Sequence, residues 1–157
     1  SLFFLRIRRQ PRATLFPYTT LFRSKTPVVL QKESLGFIGN RMQFALLREA
    51  LSIVSDGIAT PEDIDKVVTN SFGRRLSVAG PLEVFDVAGW DTIIRIVDQL
   101  FPNIESSGKT PKILTDLVQK GNYGVKSGQG FYQWDEESVK KLRERIGETL
   151  ATLDKLT

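Results

Sequence analysis

Residues 37–54, FIGNRMQFALLREALSIV, decide the fold class of this chain. Apolar side chains recur there at steps of three and four, which places them on one face of an α-helix. The pair Asp56-Gly57 that follows is typical of a helix end. The stretch therefore predicts an amphipathic helix with one face to bury. The members of that face are Ile38, Met42, Ala45, Leu46, Ala50, Ile53 and Val54.

Further helices are predicted downstream by their start and stop signals. In ATPEDIDKVV, Thr60 can cap a helix, and Pro61 suits its first turn. The segment LEVFDVAGWDTIIRIVDQLFP carries two helical pieces that divide near Gly89. Thr110 resembles Thr60 as a cap, because a proline again follows it, and Asp135 opens a charged amphipathic helix.

Two short segments do not have the helical pattern. Val28 to Leu30 is a β-branched apolar run, which is typical of a short strand. The segment GNYGVKSGQGFYQW holds four glycines and shows little periodicity, so it predicts a loop that ends in aromatic residues. The sequence as a whole predicts an all-α fold with a short strand remnant before the first helix.

The first 24 residues, SLFFLRIRRQPRATLFPYTTLFRS, differ from the rest in charge. They hold five arginines and no acidic residue. Of the chain's 22 Lys and Arg, 17 therefore remain in residues 25–157, against 18 Asp and Glu, a net charge of −1. The excess positive charge belongs to the head alone, so the body does not support a nucleic-acid or anionic-membrane partner.

Several origins of this head can be weighed. A secretory signal needs its apolar run after the positive charges, and a membrane helix needs about 20 mostly apolar residues; the head has neither. A mitochondrial transit peptide fits the arginine content, but Pro11 and Pro17 would break its helix. The stretch PRATLFPYTTLFRS resembles the translation of a sequencing-adapter read-through. We therefore expect residues 1–24 to be a non-native, disordered head without function.

Residue types that carry common catalytic chemistry are missing. The chain contains no Cys, so it has no thiolate chemistry and no disulfide, which suits a cytoplasmic location. It contains no His either, which excludes most zinc sites and the usual general base near neutral pH. We expect no metal site in this chain.

The remaining polar candidates each have a structural alternative. GVKSGQG suggests a phosphate cradle, but a P-loop needs Gly directly before its Lys, and Val125 occupies that place. We therefore favour a structural loop that Phe131, Tyr132 and Trp134 anchor. Carboxylates at residues 83, 86 and 91 could form an acid–base pair, but capping or solvated roles are favoured.

Asn40 is the most informative polar residue. It lies one turn into an otherwise apolar helix, where Asn has poor propensity and competes for backbone hydrogen bonds. Its side chain could cap the helix end or make a buried hydrogen bond. Alternatively, it could face a ligand or a catalytic residue.

Three stretches together resemble a known family. KTPVVLQKESLGFIGNRMQFALLREALSIVSDGIATPEDIDKVV is similar to the start of the C-terminal domain of the 3-hydroxyacyl-CoA dehydrogenases. AGPLEVFDVAGWDTI and GVKSGQGFYQW match further signatures of that domain in the family's order. The resemblance covers residues 25–134. It extends to 3-hydroxybutyryl-CoA dehydrogenases, gulonate dehydrogenase and lambda-crystallin.

The resemblance implies a two-domain, NAD-dependent enzyme related in fold to 6-phosphogluconate dehydrogenase. An N-terminal Rossmann domain binds NAD, and a helical C-terminal domain closes the substrate cleft and forms a homodimer. A His takes the hydroxyl proton as hydride leaves for NAD, and a Glu orients that His. Neither this pair nor a G-x-G-x-x-G motif is found in the sequence, which we interpret as truncation.

The resemblance also assigns roles to individual residues. Asn40 matches the family's Asn that faces the substrate and the catalytic His. Gly36 and Phe37 match the motif around it. The residues that match the second motif, with an expected structural role, are Gly80, Pro81 and Asp86.

The sequence thus predicts a fragment of an NAD-dependent 3-hydroxyacyl-CoA dehydrogenase of fatty-acid and butanoate metabolism. The expected parts are the head at 1–24, the family domain at 25–134 and a C-terminal helix at 135–157. No catalytic or cofactor-binding residue is expected in it, and alone it should be inactive. The alternatives are a gulonate-like 3-hydroxy acid as substrate and a non-catalytic helical oligomerisation module.

Overall fold

The computed structural model describes residues 30–33 and 35–155. The residues described there form seven α-helices and no strand. The expected head at 1–24, and Val28 and Val29 of the expected strand, lie outside the described residues. The helices are α1 (Phe37–Ser55), α2 (Pro61–Asn70), α3 (Phe72–Arg75), α4 (Pro81–Ala88), α5 (Trp90–Leu100), α6 (Lys112–Gln119) and α7 (Glu136–Leu153). The all-α prediction is confirmed.

The starts of the helices show which of the predicted capping residues do cap a helix. Thr60 caps α2 and accepts a hydrogen bond from the backbone N–H of Asp63 at 3.2 Å. Asp135 caps α7 and accepts from the N–H of Ser138 at 2.7 Å. The prediction for Thr110 is wrong, because α6 is preceded by Pro111 and has no side-chain cap.

By its internal contacts the chain forms two units that divide within α1, between Ala45 and Leu46. In the unit that starts at Leu46, α2 packs against α3 and α4 packs against α5. Gly73 permits the first of these contacts, because a Cβ there would lie 2.4 Å from the carbonyl oxygen of Val68. Short α3 was not predicted as a separate helix.

Burial is slight for a chain with so many apolar residues. Among the described residues Leu51 is the buried hydrophobic residue, with 5% of its surface exposed. Large apolar side chains are open to solvent on α1, α4, α5 and α7. Monomeric soluble domains rarely expose apolar surface on this scale, so these helices have faces that something else must cover.

Among the described residues, no helix is both long enough and apolar enough to cross a lipid bilayer.

Candidate functional site

The start of α1 has unusual backbone geometry. Gly36 has φ +79° and Phe37 has φ +51°, so two successive residues adopt left-handed conformations. A residue with a side chain is disfavoured there by about 1–2 kcal/mol. Such strain persists only where the surroundings impose it, and it is commonest at functional sites.

Asn40 is the fourth residue of α1, directly after this strained start. Its side chain is partly buried, and a Cβ at Gly36 would lie 3.8 Å from the Asn40 Cβ. It is not an N-cap residue. Among the described residues its amide also has no hydrogen-bond partner. Neither structural alternative for this side chain is therefore realised here, and the amide can hydrogen-bond to an external group.

The second motif stabilises the start of α4. Glu83 accepts a 2.7 Å hydrogen bond from the backbone N–H of Gly80, and Pro81 occupies the first helical position. This arrangement satisfies an N–H group at the helix start and complements the helix dipole. The carboxylate of Glu83 thus serves to cap the start of α4.

Asp86 connects α4 to α5 across the Gly89 junction. Its Oδ1 accepts a 2.5 Å hydrogen bond from the indole Nε1–H of Trp90. The Trp90 ring also lies against Phe85, with ring centroids 6.4 Å apart. Asp91 lies in the first turn of α5, where a carboxylate favours the helix dipole. Glu83 and Asp86 are thus each engaged in a local hydrogen bond.

The third motif is a loop in which several backbone N–H groups are bonded internally. The N–H of Gly124 donates to Gln129, that of Gly130 donates to Tyr132, and that of Trp134 donates to Gly128. The Ser127 hydroxyl accepts a further bond from the N–H of Tyr123 at 2.7 Å. These donors are used within the loop and are not available to a phosphate.

The aromatic residues of this loop have different environments. The hydroxyl of Tyr132 donates to the carboxylate of Asp65 on α2, and its ring meets that of Trp134 edge-on with centroids 6.0 Å apart. Phe131 is 37% exposed. Tyr132 thus anchors the loop to α2, whereas the anchoring roles of Phe131 and Trp134 stay predictions.

One partly buried, long-range hydrogen bond was missed by sequence reasoning. Glu49 on α1 accepts a 2.7 Å hydrogen bond from the backbone N–H of Glu105, 56 residues later. A cavity of about 160 Å³ lies beside it. The residues that line the cavity are Arg48, Leu51, Ser52, Ser55, Asp56, Glu105, Pro111 and Lys112. No local pattern predicts a contact of such sequence separation.

Comparison with known proteins identifies the family. The profile of the 3-hydroxyacyl-CoA dehydrogenase C-terminal domain matches residues 36–134. The chain belongs to the 3-hydroxyacyl-CoA dehydrogenase family. The second and third motifs, most of the first and the strained α1 start lie inside the matched residues. Members of this family are oxidoreductases that act on the CH–OH group of hydroxyacyl substrates.

Several members of the family resemble the chain over most of its length. 5-Formyl-3-hydroxy-2-methylpyridine 4-carboxylate 5-dehydrogenase of Mesorhizobium japonicum is 30% identical over 130 residues, 83% of this chain and 42% of its own. L-Carnitine dehydrogenase of Oceanobacillus iheyensis is 32% identical over 131 residues, 81% of this chain and 41% of its own.

A third member matches a shorter stretch. The probable 3-hydroxybutyryl-CoA dehydrogenase of Bacillus subtilis is 35% identical over 104 residues, 66% of this chain and 35% of its own. The chain thus spans about two-fifths of the length of these family members or less.

A solved structure supports the fold of the family domain. A 5-formyl-3-hydroxy-2-methylpyridine 4-carboxylic acid 5-dehydrogenase, an NAD⁺-dependent dismutase, superposes with a TM-score of 0.74 and 31% identity. The superposition covers 83% of this chain and 41% of that one. The helical arrangement is therefore shared with a dehydrogenase of the same family.

Proposed function

We propose that this chain supplies the helical, substrate-facing domain of a cytoplasmic, NAD-dependent dehydrogenase that oxidises L-3-hydroxyacyl-CoA to 3-oxoacyl-CoA. Its place would be fatty-acid or butanoate metabolism. The catalytic His and Glu and the nucleotide-binding fold would come from residues outside this sequence. Residues 25–134 would form the family domain and residues 135–157 a C-terminal helix.

One observation carries the proposal: the amide of Asn40, which is unbonded among the described residues, lies three residues after a left-handed Phe37. An amide can donate to a substrate oxygen and accept from a protonated group at the same time. Held at a helix start by a strained backbone, it is positioned before substrate arrives. Asn40 would thus orient the substrate oxygen and the catalytic His.

NAD would be bound elsewhere in the whole enzyme. A dinucleotide pyrophosphate needs free backbone N–H groups at a glycine-rich turn that opens a helix. The glycine-rich loop described here bonds its N–H groups internally, between Gly124 and Trp134. This loop therefore does not fit a dinucleotide pyrophosphate.

The relatives that match the largest share of this chain favour a second substrate class, free hydroxy acids. The relatives that match 83% and 81% of the chain are named for free carboxylates, a pyridine carboxylate and L-carnitine. The 3-hydroxybutyryl-CoA dehydrogenase matches 66%. A free 3-hydroxy acid, gulonate-like in chemistry, is therefore the alternative to a CoA thioester.

The exposed apolar face of α1 bears on how the chain assembles. The apolar face of α1 is open where the family architecture would place a second domain and a second subunit. Ile38 is 50% exposed, Met42 52% and Leu46 44%. We propose a homodimer whose contacts include this face. The competing hypothesis, a non-catalytic oligomerisation module, shares the exposed face but requires no role for Asn40.

The test is a chimera that joins residues 25–157 to the nucleotide-binding half of the Bacillus subtilis relative. We expect NAD reduction with L-3-hydroxybutyryl-CoA or with L-carnitine, and the better substrate decides the class. Asn40→Ala should lower kcat roughly 10²-fold with NAD affinity unchanged, because removing a positioned donor costs about that much. The unmodified chain alone should show no turnover.

Asn70→Ala is the matched control, because Asn70 bonds locally to the carbonyl of Lys66 at 2.9 Å. It should leave kcat unchanged. An active chimera that tolerates Asn40→Ala would reject the role of Asn40. Turnover by the unmodified chain alone would contradict the proposal that the catalytic His and Glu come from residues outside this sequence.

A further inference from the structure

Arg48, on α1, carries a positive charge that the described part of the chain leaves unpaired. Its Nε atom is fully buried and has no hydrogen-bond acceptor. The side chain as a whole is partly buried, and among the described residues it makes no hydrogen bond and no ion pair. A buried polar group without a partner is destabilising, and more so when it is charged. The guanidinium of Arg48 therefore calls for an acceptor from outside the described chain.

This side chain lines the cavity of about 160 Å³ beside the Glu49–Glu105 hydrogen bond, which we call the α1–α6 cavity. Helix α1 lines it with side chains three and four positions apart, which therefore lie on one helix face. These residues are Arg48, Leu51, Ser52 and Ser55. The rest of the lining is Asp56, Glu105, Pro111 and Lys112. All of these residues belong to the unit that starts at Leu46.

The start of α6 adds hydrogen-bond donors at the same cavity. No side chain caps this helix, and the backbone N–H groups of Lys112 and Ile113 make no hydrogen bond among the described residues. Such N–H groups, together with the positive end of the helix dipole, favour an anion. The buried Nε of Arg48 and the start of α6 are two independent features, and both select negative charge.

Two carboxylates in the lining restrict the class of anion. Neither Asp56 nor Glu105 forms an ion pair with Arg48. Asp56 accepts a 3.3 Å hydrogen bond from the Ser52 hydroxyl through one oxygen. One oxygen of Glu105 accepts from the backbone N–H of Ser107. Each carboxylate thus keeps a second oxygen that can accept a proton from a ligand.

A ligand for this lining needs both acceptor oxygens and a proton to donate. Its bare oxygens would accept from the guanidinium, which binds phosphate oxygens in a two-pronged geometry. Its O–H group would donate to a carboxylate, whereas an anion without a proton would only be repelled there. Hydrogen phosphate has this pattern at neutral pH. Sulfate has the same tetrahedral shape but no proton.

We propose that the α1–α6 cavity binds one hydrogen phosphate ion, held by Arg48 and the start of α6, with its proton donated to Asp56 or Glu105. Clefts for drug-sized ligands have volumes of about 300–1,000 Å³. A cavity of about 160 Å³ therefore suits a free ion and not a nucleotide. The site does not involve Asn40 and does not depend on the proposed function.

The bound ion would strengthen the contact between α1 and the segment that leads into α6. At present the Glu49–Glu105 hydrogen bond links α1 to this segment. A ligand that binds only the folded chain stabilises it by mass action. Without phosphate, the unpaired charge of Arg48 should instead reduce stability. The stability of the chain should therefore respond to phosphate through Arg48.

The first test measures phosphate binding to the full chain by isothermal titration calorimetry at neutral pH. We expect a single site, with sulfate bound at least about tenfold more weakly at the same ionic strength. Arg48→Gln should weaken phosphate binding at least about tenfold, because it removes a charged, two-pronged donor. Arg95→Gln is the matched control, since it removes the same charge from the exposed surface of α5.

The second test concerns the choice between the two anions. Replacing Asp56 by Asn and Glu105 by Gln in one chain removes the two carboxylates that repel sulfate. The preference for phosphate over sulfate should then fall at least about tenfold, since only protonated oxyanions suit a carboxylate acceptor. Asp98→Asn with Glu148→Gln makes the same charge change at exposed positions and should keep the preference. An unchanged preference in the first variant would overturn the proposed role of the proton.

The third test is thermal unfolding with and without phosphate. The melting temperature of the unaltered chain should rise with phosphate by more than it rises with sulfate, which controls for general salt effects. Arg48→Met should melt at or above the unaltered chain in phosphate-free buffer, because an unpaired charge is gone. It should not respond specifically to phosphate. A loss of stability that is equal in both buffers would show that Arg48 has a partner within the chain, and would overturn the proposal.

Two further results would also reject this site. Equal binding of phosphate and sulfate that survives Arg48→Gln would mean general attraction of anions to the surface. Absence of phosphate binding by the unaltered chain would mean that water alone occupies the cavity. Neither result would bear on Asn40 or on the activity of the chimera, so this proposal and the proposed function stand or fall separately.

Discussion

The hydroxyl of Tyr132 donates a 2.8 Å hydrogen bond to the carboxylate of Asp65, 67 residues earlier in the chain. Desolvation by partial burial, together with this bond and the negative charge of Asp65, raises the pKa of Tyr132 to about 12. The contact joins the glycine-rich loop to α2. It is one of the few long-range side-chain bonds among the described residues, so it should matter for stability.

Replacing Tyr132 by Phe should lower the free energy of unfolding by about 1 kcal/mol, the net worth of one hydrogen bond. Urea unfolding at pH 8 measures the change. Tyr123→Phe is the matched control, because Tyr123 lies in the same loop and is 58% exposed. Equal midpoints for the two variants would show that the Tyr132–Asp65 bond does not contribute.

The same contact predicts a loss of stability at alkaline pH. A folded-state pKa of about 12, against an ordinary value of 10.0, means that the folded chain holds the phenolic proton more tightly. The stabilisation is fully present below pH 10 and is lost as the pH rises through about 12. Tyr132→Phe should remove this part of the pH dependence, and urea titrations between pH 9 and about 12 would reveal it.

At the acid end, Asp135 should govern the stability of α7. Hydrogen bonds from Ser138 hold the pKa of this capping carboxyl below its ordinary value of 3.8. Its stabilisation is therefore present above pH 3.8 and is lost as the pH falls through the lower folded-state pKa. Helix content by circular dichroism should fall less steeply with acid in Asp135→Asn. An unchanged acid profile would contradict the capping role.

The bond between Asp86 and Trp90 predicts a change in tryptophan emission. Asp86→Ala should lower the free energy of unfolding by about 1 kcal/mol and shift the Trp90 emission, measured in a Trp134→Phe background. Asp86→Asn keeps an acceptor oxygen and should restore most of the loss. Asp98→Ala, on the exposed surface of α5, is the control. If Asp86→Ala behaves like this control, the bond does not orient the indole.

The exposed face of α1 predicts self-association of the full chain. Sedimentation at several concentrations should show dimers, because apolar surface of this extent is rarely left in water. Met42→Glu should weaken the dimer, whereas Gln43→Glu, one position along α1, should not. A clean monomer at tens of micromolar would count against the dimer proposal.

Site residues could be predicted from the sequence only where their role depends on residues close to them in the chain. Asn40 stands out in the sequence because Asn has poor propensity one turn into an otherwise apolar helix. The left-handed Phe37 before it could not be predicted, since an aromatic residue gives no signal of positive φ. The internal bonding of the loop at 124–134 likewise appears only when the chain is folded.

The sequence by itself determined the all-α class, the starts of α2 and α7, and the break at Gly89. These depend on side chains within one helical turn of each other, and that information is contiguous in the chain. Thr110 shows the limit, because the helix begins after Pro111 instead. Tertiary structure alone decided that Tyr132 reaches Asp65 and that Glu49 reaches Glu105. These contacts depend on the path of the intervening chain, which no short-range pattern encodes.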